Sequence, residues 1–179
     1  MKTNKKDIIF YATIATTLVV GVVVDIVTKI LFVGVNNGTF IPYVISFQYT
    51  ENPGAAWGMF AGMRVLLIIF TILILIAFCF YVYKNKHKNK TFLAACSLIF
   101  AGAVGNLIDR IFLGYVRDFI RFDFLNYIWN PIFGSNFPIC NMADLFLTSG
   151  IVVMLVYIIF QLPKLEKKEG ENGKKSSDR

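Results

Sequence analysis

Four stretches of the 179-residue chain stay apolar for the length a bilayer crossing takes, about 20 residues: 8–33, 65–83, 92–113 and 145–162. Between them lie two longer segments, 34–64 and 114–141, and one short polar loop, Lys84–Lys90. The pattern predicts an all-α membrane protein built as a four-transmembrane-helix bundle. A single membrane-embedded domain, 1–163, would be followed by a charged tail, 164–179, whose small and charged residues predict disorder.

The longer connections carry patterns of their own. Ile45, Phe47 and Tyr49 alternate with Ser46, Gln48 and Thr50, the period of a half-buried strand. Turn-prone Asn36–Gly38 precedes this strand and Asn52–Gly54 follows it. A small sheet is expected here, with Trp57 at headgroup level; a two-stranded element is marginal alone and must rest on the bundle or on lipid. The second connection holds Phe119, Phe122, Phe124, Tyr127, Trp129, Phe133 and Phe137, which suits a segment lying along the interface.

Charge fixes an orientation. Of the 18 basic residues, 13 fall in the N-terminal arm, the Lys84–Lys90 loop and the tail from Lys164. The positive-inside rule puts all three in the cytoplasm, so both termini lie inside and the longer connections outside. The net charge of +7 is thus a topology signal rather than a nucleic-acid footprint. The first span is too long for a signal-peptide core and lacks a small-residue cleavage site after it, so it is expected to stay. Cys79, Cys96 and Cys140 have no CxxC spacing and predict neither a disulfide framework nor zinc.

Ionisable residues inside spans are costly and need a reason. Asp25 and Lys29 stand four apart on one helix face, with Thr28 beside them, and read as a structural pair. Asp109, next to Arg110, has a similar reading. Asp25 and Asp109 lie about 17 residues into spans that run outward, so both sit near the outer leaflet. Gly102, Gly105, Asn106 and Asp109 share a face, small residues permitting close helix contact while the polar ones face the bundle. Asn141 can cap the fourth span with Asp144 at the third helical position. Asp118, between Arg117 and Arg121, follows the third span and could be a solvated headgroup-level charge. Four aspartates therefore converge at one depth.

Their chemistry is restricted. The only histidine, His87, is in the inner loop, which removes histidine-based triads and metal sites from the outer face. Nothing in the spacing supports a Ser46–Lys29 arrangement. Two carboxylates sharing a proton remain: one can activate water while the other protonates a carbonyl oxygen or leaving amine. Which two pair stays open. A straight helix would hold Asp109 and Asp118 about 13 Å apart, so they pair only if the chain turns, as Gly114 permits.

Five segments in order, Asp25–Lys29 (DIVTK), Asn52–Gly58 (NPGAAWG), Gly105–Arg110 (GNLIDR), Val116–Ile120 (VRDFI) and Asn141–Gly150 (NMADLFLTSG), resemble the lipoprotein signal peptidase (signal peptidase II) family. The resemblance implies a membrane aspartic endopeptidase of the bacterial plasma membrane, without cofactor or metal. Its substrates would be diacylglyceryl-modified prolipoproteins, cut just before the lipidated cysteine. Asp118 and Asp144 correspond to the catalytic dyad. Asn52, Gly54, Asn106, Arg110 and Asn141 match site-lining positions; Asp25, Lys29 and Asp109 match scaffolding ones. An extracytoplasmic β-cradle, an interfacial loop or helix, membrane-lipid partners, a monomeric state and inhibition by globomycin are implied too.

The chain departs from the family pattern at Ile26, where glutamine is usual, and at Cys140, where an aromatic is common. Its stretch 123–136 is longer than usual, which leaves the shape of the substrate entrance open. The competing reading is a small proton- or ion-coupled carrier relaying protons through intramembrane carboxylates. Acidic residues gathered near one face, with no inverted repeat, weigh against it. A structural scaffold is a third class, and it would not need four aspartates at one depth.

Overall fold

The structure, a computed structural model, describes residues 5–36, 38–55, 59–84 and 89–164. Trp57, His87, most of the basic loop and the tail beyond Lys164 lie outside the described residues. Five helices and three strands follow one another as α1 (Lys5–Leu31), β1 (Gly38–Ile41), β2 (Ile45–Asn52), α2 (Arg64–Lys84), α3 (Lys90–Phe112), β3 (Val116–Phe122), α4 (Asp123–Phe133) and α5 (Met142–Val156). A π-helical turn, Tyr157–Gln161, carries α5 on to Lys164. α1, α2, α3 and the extended α5 are long and apolar enough to cross a membrane, and their ends fall within three residues of the expected spans.

α3 is the central helix, packed on α1, α2 and α5. Its small residues make this possible. A side chain at Gly102 would place Cβ 2.3 Å from the Ala143 carbonyl oxygen, and one at Gly105 would meet an Asp25 carboxylate oxygen at 2.5 Å. Backbone approach of this kind replaces the hydrophobic drive that lipid-facing helices lack. The bundle is chemically polarised along its axis. The end bearing the described chain ends is apolar, with Phe10, Val82, Phe92, Ala95, Cys96, Phe100, Met154 and Tyr157 in one cluster. There Cys96 acts as a small apolar filler. At the opposite end the buried side chains include Asp25, Lys29, Asn106, Asp109, Asp118 and Asn141 beside Val116, Phe119 and Ala143.

That polar end is roofed by an antiparallel sheet in the order β1-β2-β3. The alternation in 45–50 correctly marks β2, but the sheet has three strands where two were expected. The third is β3, a part of the 114–141 connection for which no strand was expected. α3 stops when Leu113 and Gly114 both donate to the Asp109 carbonyl, and Gly114 takes the left-handed turn at φ 91°. Glycine suits that backbone, and the turn sends β3 back over the bundle. Arg64 holds the helix end from the side, donating to the carbonyls of Arg110 (2.7 Å) and Ile111 (2.6 Å). β3 stacks Phe119 on Phe32 at 4.6 Å, so the sheet rests on the end of α1.

Candidate active site

Strand alternation decides where the residues of β3 go. As neighbours on the strand, Arg117 and Asp118 diverge: Arg117 reaches Asp109 of α3, and Asp118 faces the cavity it shares with Asp144. Arg117 grips Asp109 with Nη2–Oδ1 at 2.7 Å and Nε–Oδ2 at 3.2 Å, and its backbone N–H donates to Oδ2 at 3.0 Å. Asp109 also faces Lys29 Nζ at 3.4 Å, and Lys29 bonds Asp25 at 2.8 Å. The Asp25–Lys29 pair is therefore as expected, and Asp25 additionally accepts the Ala143 N–H at 2.9 Å. Thr28 stays outside the cluster and bonds carbonyls of its own helix.

Two expectations need correction. Asp109 pairs with Lys29 and Arg117, not with its neighbour Arg110, because adjacent helix positions do not face each other. Arg110 instead donates to the Gly54 carbonyl at 3.0 Å. Asp118 is no solvated headgroup charge: it is 2% exposed, and its flanking arginines are taken by Asp109 and Asp123. The chain does turn at Gly114, yet Asp109 does not pair with Asp118: Asp109 is held by Lys29 and Arg117, and Asp118 by Asn52 and Asn141.

Asp118 and Asp144 come together through the residues between them. Cys140 bridges to β3, its carbonyl accepting from Phe119 and Ile120 and its N–H donating to Ile120 at 2.9 Å. Asn141 then caps α5, accepting the Asp144 N–H at 2.9 Å while its own N–H donates to Asp144 Oδ2 at 3.1 Å. This reciprocal capping box makes Asp144 both a helix cap and a member of the site. Asp144 and Asp118 line one cavity of about 250 Å³ with Asn52, Asn106, Arg110 and Cys140.

Amides, not cations, solvate the two carboxylates. Asp118 Oδ1 accepts from Asn141 Nδ2 (2.6 Å) and Oδ2 from Asn52 Nδ2 (3.0 Å). Asp144 Oδ1 accepts from Asn106 Nδ2 (2.7 Å), and the capping N–H serves its other oxygen. Each amide is held in its orientation. Asn106 Oδ1 accepts from Lys29 Nζ (3.0 Å) and Asn141 Nδ2 (3.1 Å), which turns its NH2 toward Asp144. Asn52 Oδ1 accepts the Gly54 N–H at 3.0 Å, a side-chain turn that aims its NH2 at Asp118. A one-residue bulge in β2 between Phe47 and Thr50 brings Thr50 opposite Asp118 and helps set this aim. Among the described residues neither carboxylate forms an ion pair. Burial, and after it the charge of Asp144, pushes Asp118 up to about 7. The Cys140 thiol is pushed up to about 12 by burial and by both aspartates, so it stays protonated.

Of the five expected site-lining residues, Asn52, Asn106 and Asn141 donate to the two aspartates and Arg110 lines their cavity, while Gly54 is one contact removed, on Asn52 and Arg110. Asp25, Lys29 and Asp109 form the ion cluster. Sequence reasoning missed Arg117 as the second cation of that cluster. It also missed the wall made by Phe137, Pro138 and Ile139. Strand alternation across Val116–Phe119 was the available signal for Arg117; the wall comes from irregular chain and left none.

Four helices long and apolar enough to cross a membrane, with a polar, carboxylate-bearing cavity at one end, define the class as a multi-pass membrane protein. The model of the signal peptidase (SPase) II family matches residues 17–160. The lipoprotein signal peptidase of Enterococcus faecalis is 35% identical over 134 residues, 75% of this chain and 76% of that protein. That of Staphylococcus aureus is 35% identical over 129 residues, covering 72% and 74%. A bacterial membrane enzyme solved by the in meso method at 1.9 Å resolution superposes with a TM-score of 0.71 at 36% identity, covering 84% of this chain and 94% of that one. The chain belongs to the signal peptidase II family of peptidases.

Proposed function

We propose that the protein is an aspartic endopeptidase that removes signal peptides from diacylglyceryl-modified prolipoproteins, cutting before the lipidated cysteine. The observation that carries this reading is the pair Asp118–Asp144, brought to one cavity with an amide N–H on each carboxylate oxygen and, among the described residues, no ion pair on either. Two carboxyls so placed hold one proton between them near neutral pH. The ionised one takes a proton from water as the water oxygen attacks the scissile carbonyl carbon. The protonated one gives its proton to the carbonyl oxygen. Collapse of the resulting diol breaks the C–N bond, and the leaving amine takes a proton from the dyad. Arg110, tethered to Gly54, and the Asn52 turn would line the path of the substrate backbone.

The orientation that fits is both termini in the cytoplasm and the sheet end of the bundle at the outer face. A diacylglyceryl group anchored in the bilayer would then set the depth of the bond to be cut, matching the depth of the cavity. The test is a gel-shift assay with purified protein in detergent, offered a lipidated prolipoprotein and its unmodified precursor. Cleavage of the lipidated form alone, lost in Asp118→Asn, is the expected result. No cleavage of either by folded protein would overturn the reading and turn attention to proton flux.

A further inference from the structure

The cavity that holds Asp118 and Asp144 adjoins another. A second hollow, of about 230 Å³, shares Asn52, Asp118, Pro138 and Ile139 with it, so Asp118 stands where two spaces meet. The residues they do not share set them apart. The first space runs among the membrane spans, past Asn106 and Arg110 of α3 to Asp144 and Thr148 of α5. Thr148 is exposed and lies four residues beyond Asp144, about 6 Å further along the span at the α-helical rise. The second space touches no span among the described residues. Beyond the shared residues it is lined by Thr50 and Glu51, at the end of β2, and by Pro53 just after it.

Charge distinguishes the second space further. Among the described residues that line it, Glu51 is the one ionisable group besides Asp118, and none is a lysine or arginine. Glu51 is exposed; it accepts the Tyr49 hydroxyl at 3.3 Å and forms no ion pair among the described residues. Arg117, its partner across the strands, is held by Asp109 at 2.7 Å instead. Position matters as much as charge. Glu51 adjoins Asn52, whose amide reaches Asp118 at 3.0 Å. An extended chain advances about 3.3–3.6 Å per residue, so a substrate held by its scissile bond at Asp118 passes Glu51 within its next two or three residues.

We propose that the second space is the exit for the mature side of the cut bond, and that Glu51 gives this exit a charge preference. Basic residues at the second and third positions after the lipidated cysteine are favoured there over acidic ones. The apolar signal segment belongs with the space among the spans, and a polar mature segment with the space that touches none. Pro53 and Pro138 give the exit walls of restricted backbone on both sides, suited to a chain that passes through rather than one that adds to the sheet. The proposal rests on the peptidase reading and adds to it what the departing half is selected for.

A charge swap tests it. Two lipidated prolipoproteins, differing only in Lys or Asp at those two positions, would be compared by kcat/KM with the full chain in a neutral detergent at low salt. The parent is expected to prefer the Lys substrate by about threefold, the order an exposed charge delivers, and high salt should flatten the ratio. Glu51→Gln should bring the ratio close to one, and Glu51→Lys should invert it. A merely structural role for Glu51 would slow both substrates alike and leave the ratio where it was, so inversion reports the charge itself. A ratio that does not move with the charge at position 51 would overturn the proposal, while the cleavage that measured it leaves the peptidase reading standing. No cleavage of either substrate by folded protein would overturn that reading, and the proposal with it.

Discussion

Two pairs of aspartates lie at the polar end of the bundle, all buried except the half-buried Asp144, and they are treated in opposite ways. Asp25 and Asp109 share Lys29 and Arg117, two carboxylates against two cations, with ion-pair distances of 2.7 to 3.4 Å. Asp118 and Asp144 receive amide hydrogen bonds and no ion pair among the described residues. Amides orient a carboxylate without neutralising it. The first pair is therefore balanced by neighbouring cations, whereas the second can exchange a proton with something placed in the cavity. Compensation separates structure from chemistry here more clearly than burial does, since Asp118 is as buried as Asp25 and Asp109.

The largest expected effect follows from removing chemistry without removing shape. Asp118→Asn or Asp144→Asn should lower cleavage of a lipidated prolipoprotein by at least about 10³-fold, with insertion and a folded bundle retained. Turnover near that of the parent in either variant would erase the distinction between the two pairs. Lys29→Met attacks the other pair. It leaves two buried carboxylates sharing one cation, and breaking a buried ion pair from one side costs about 3–5 kcal/mol. Unfolding in detergent should move accordingly, and Asp25→Leu added to Lys29→Met should recover part of the loss. A double variant no more stable than the single one would mean that the cluster is not a charge-balanced unit.

The contrast between the pairs was only half legible in the sequence. Helical spacing suffices for Asp25–Lys29, because i and i+4 must share a face. The shared face of Gly102, Gly105 and Asn106 is legible for the same reason, and the capping signature of Asn141 and Asp144 is local. Four apolar runs fix the spans by length alone. What periodicity cannot carry is the partner of a residue across a turn. Asp109 finds Arg117 eight positions on because Gly114 reverses the chain and β3 alternates. Asp118 finds Asn52 and Asn141 through sheet register and a single bridge at Cys140. Those contacts depend on tertiary placement, and only the family resemblance pointed to the pair they support.

Protonation offers a subtler way to sharpen the comparison. The folded protein holds Asp118 up at about 7 against an ordinary 3.8, chiefly through burial. A raised acid binds its proton more tightly when folded, so the stability it contributes is present below about 3.8 and is lost as pH rises through about 7. Asp118→Asn has no proton to lose. Its stability relative to the parent should therefore rise between pH 4 and pH 8, by on the order of a few kcal/mol, in thermal unfolding at the two pH values. A difference that does not change with pH would show Asp118 to be as fully compensated as Asp109.

The smallest effect expected is also the most diagnostic of how the dyad is tuned. Asn52 donates to Asp118 at 3.0 Å and so favours its ionised form, opposing burial and the charge of Asp144. Asn52→Ala removes that donor, so the proton is held more tightly. If the shared proton is needed for cleavage, kcat/KM falls as pH rises and the dyad loses it. The alkaline limb in the variant should then lie higher in pH than in the parent, by up to about one unit. Losing the Asn52 side-chain turn would lower the plateau as well, because Gly54 and the Ala55 carbonyl lose their partner. A purely structural residue would lower the plateau and leave the limb where it was. Movement of the limb therefore reports the amide acting on the carboxylate, and a fixed limb would place Asn52 with the scaffold.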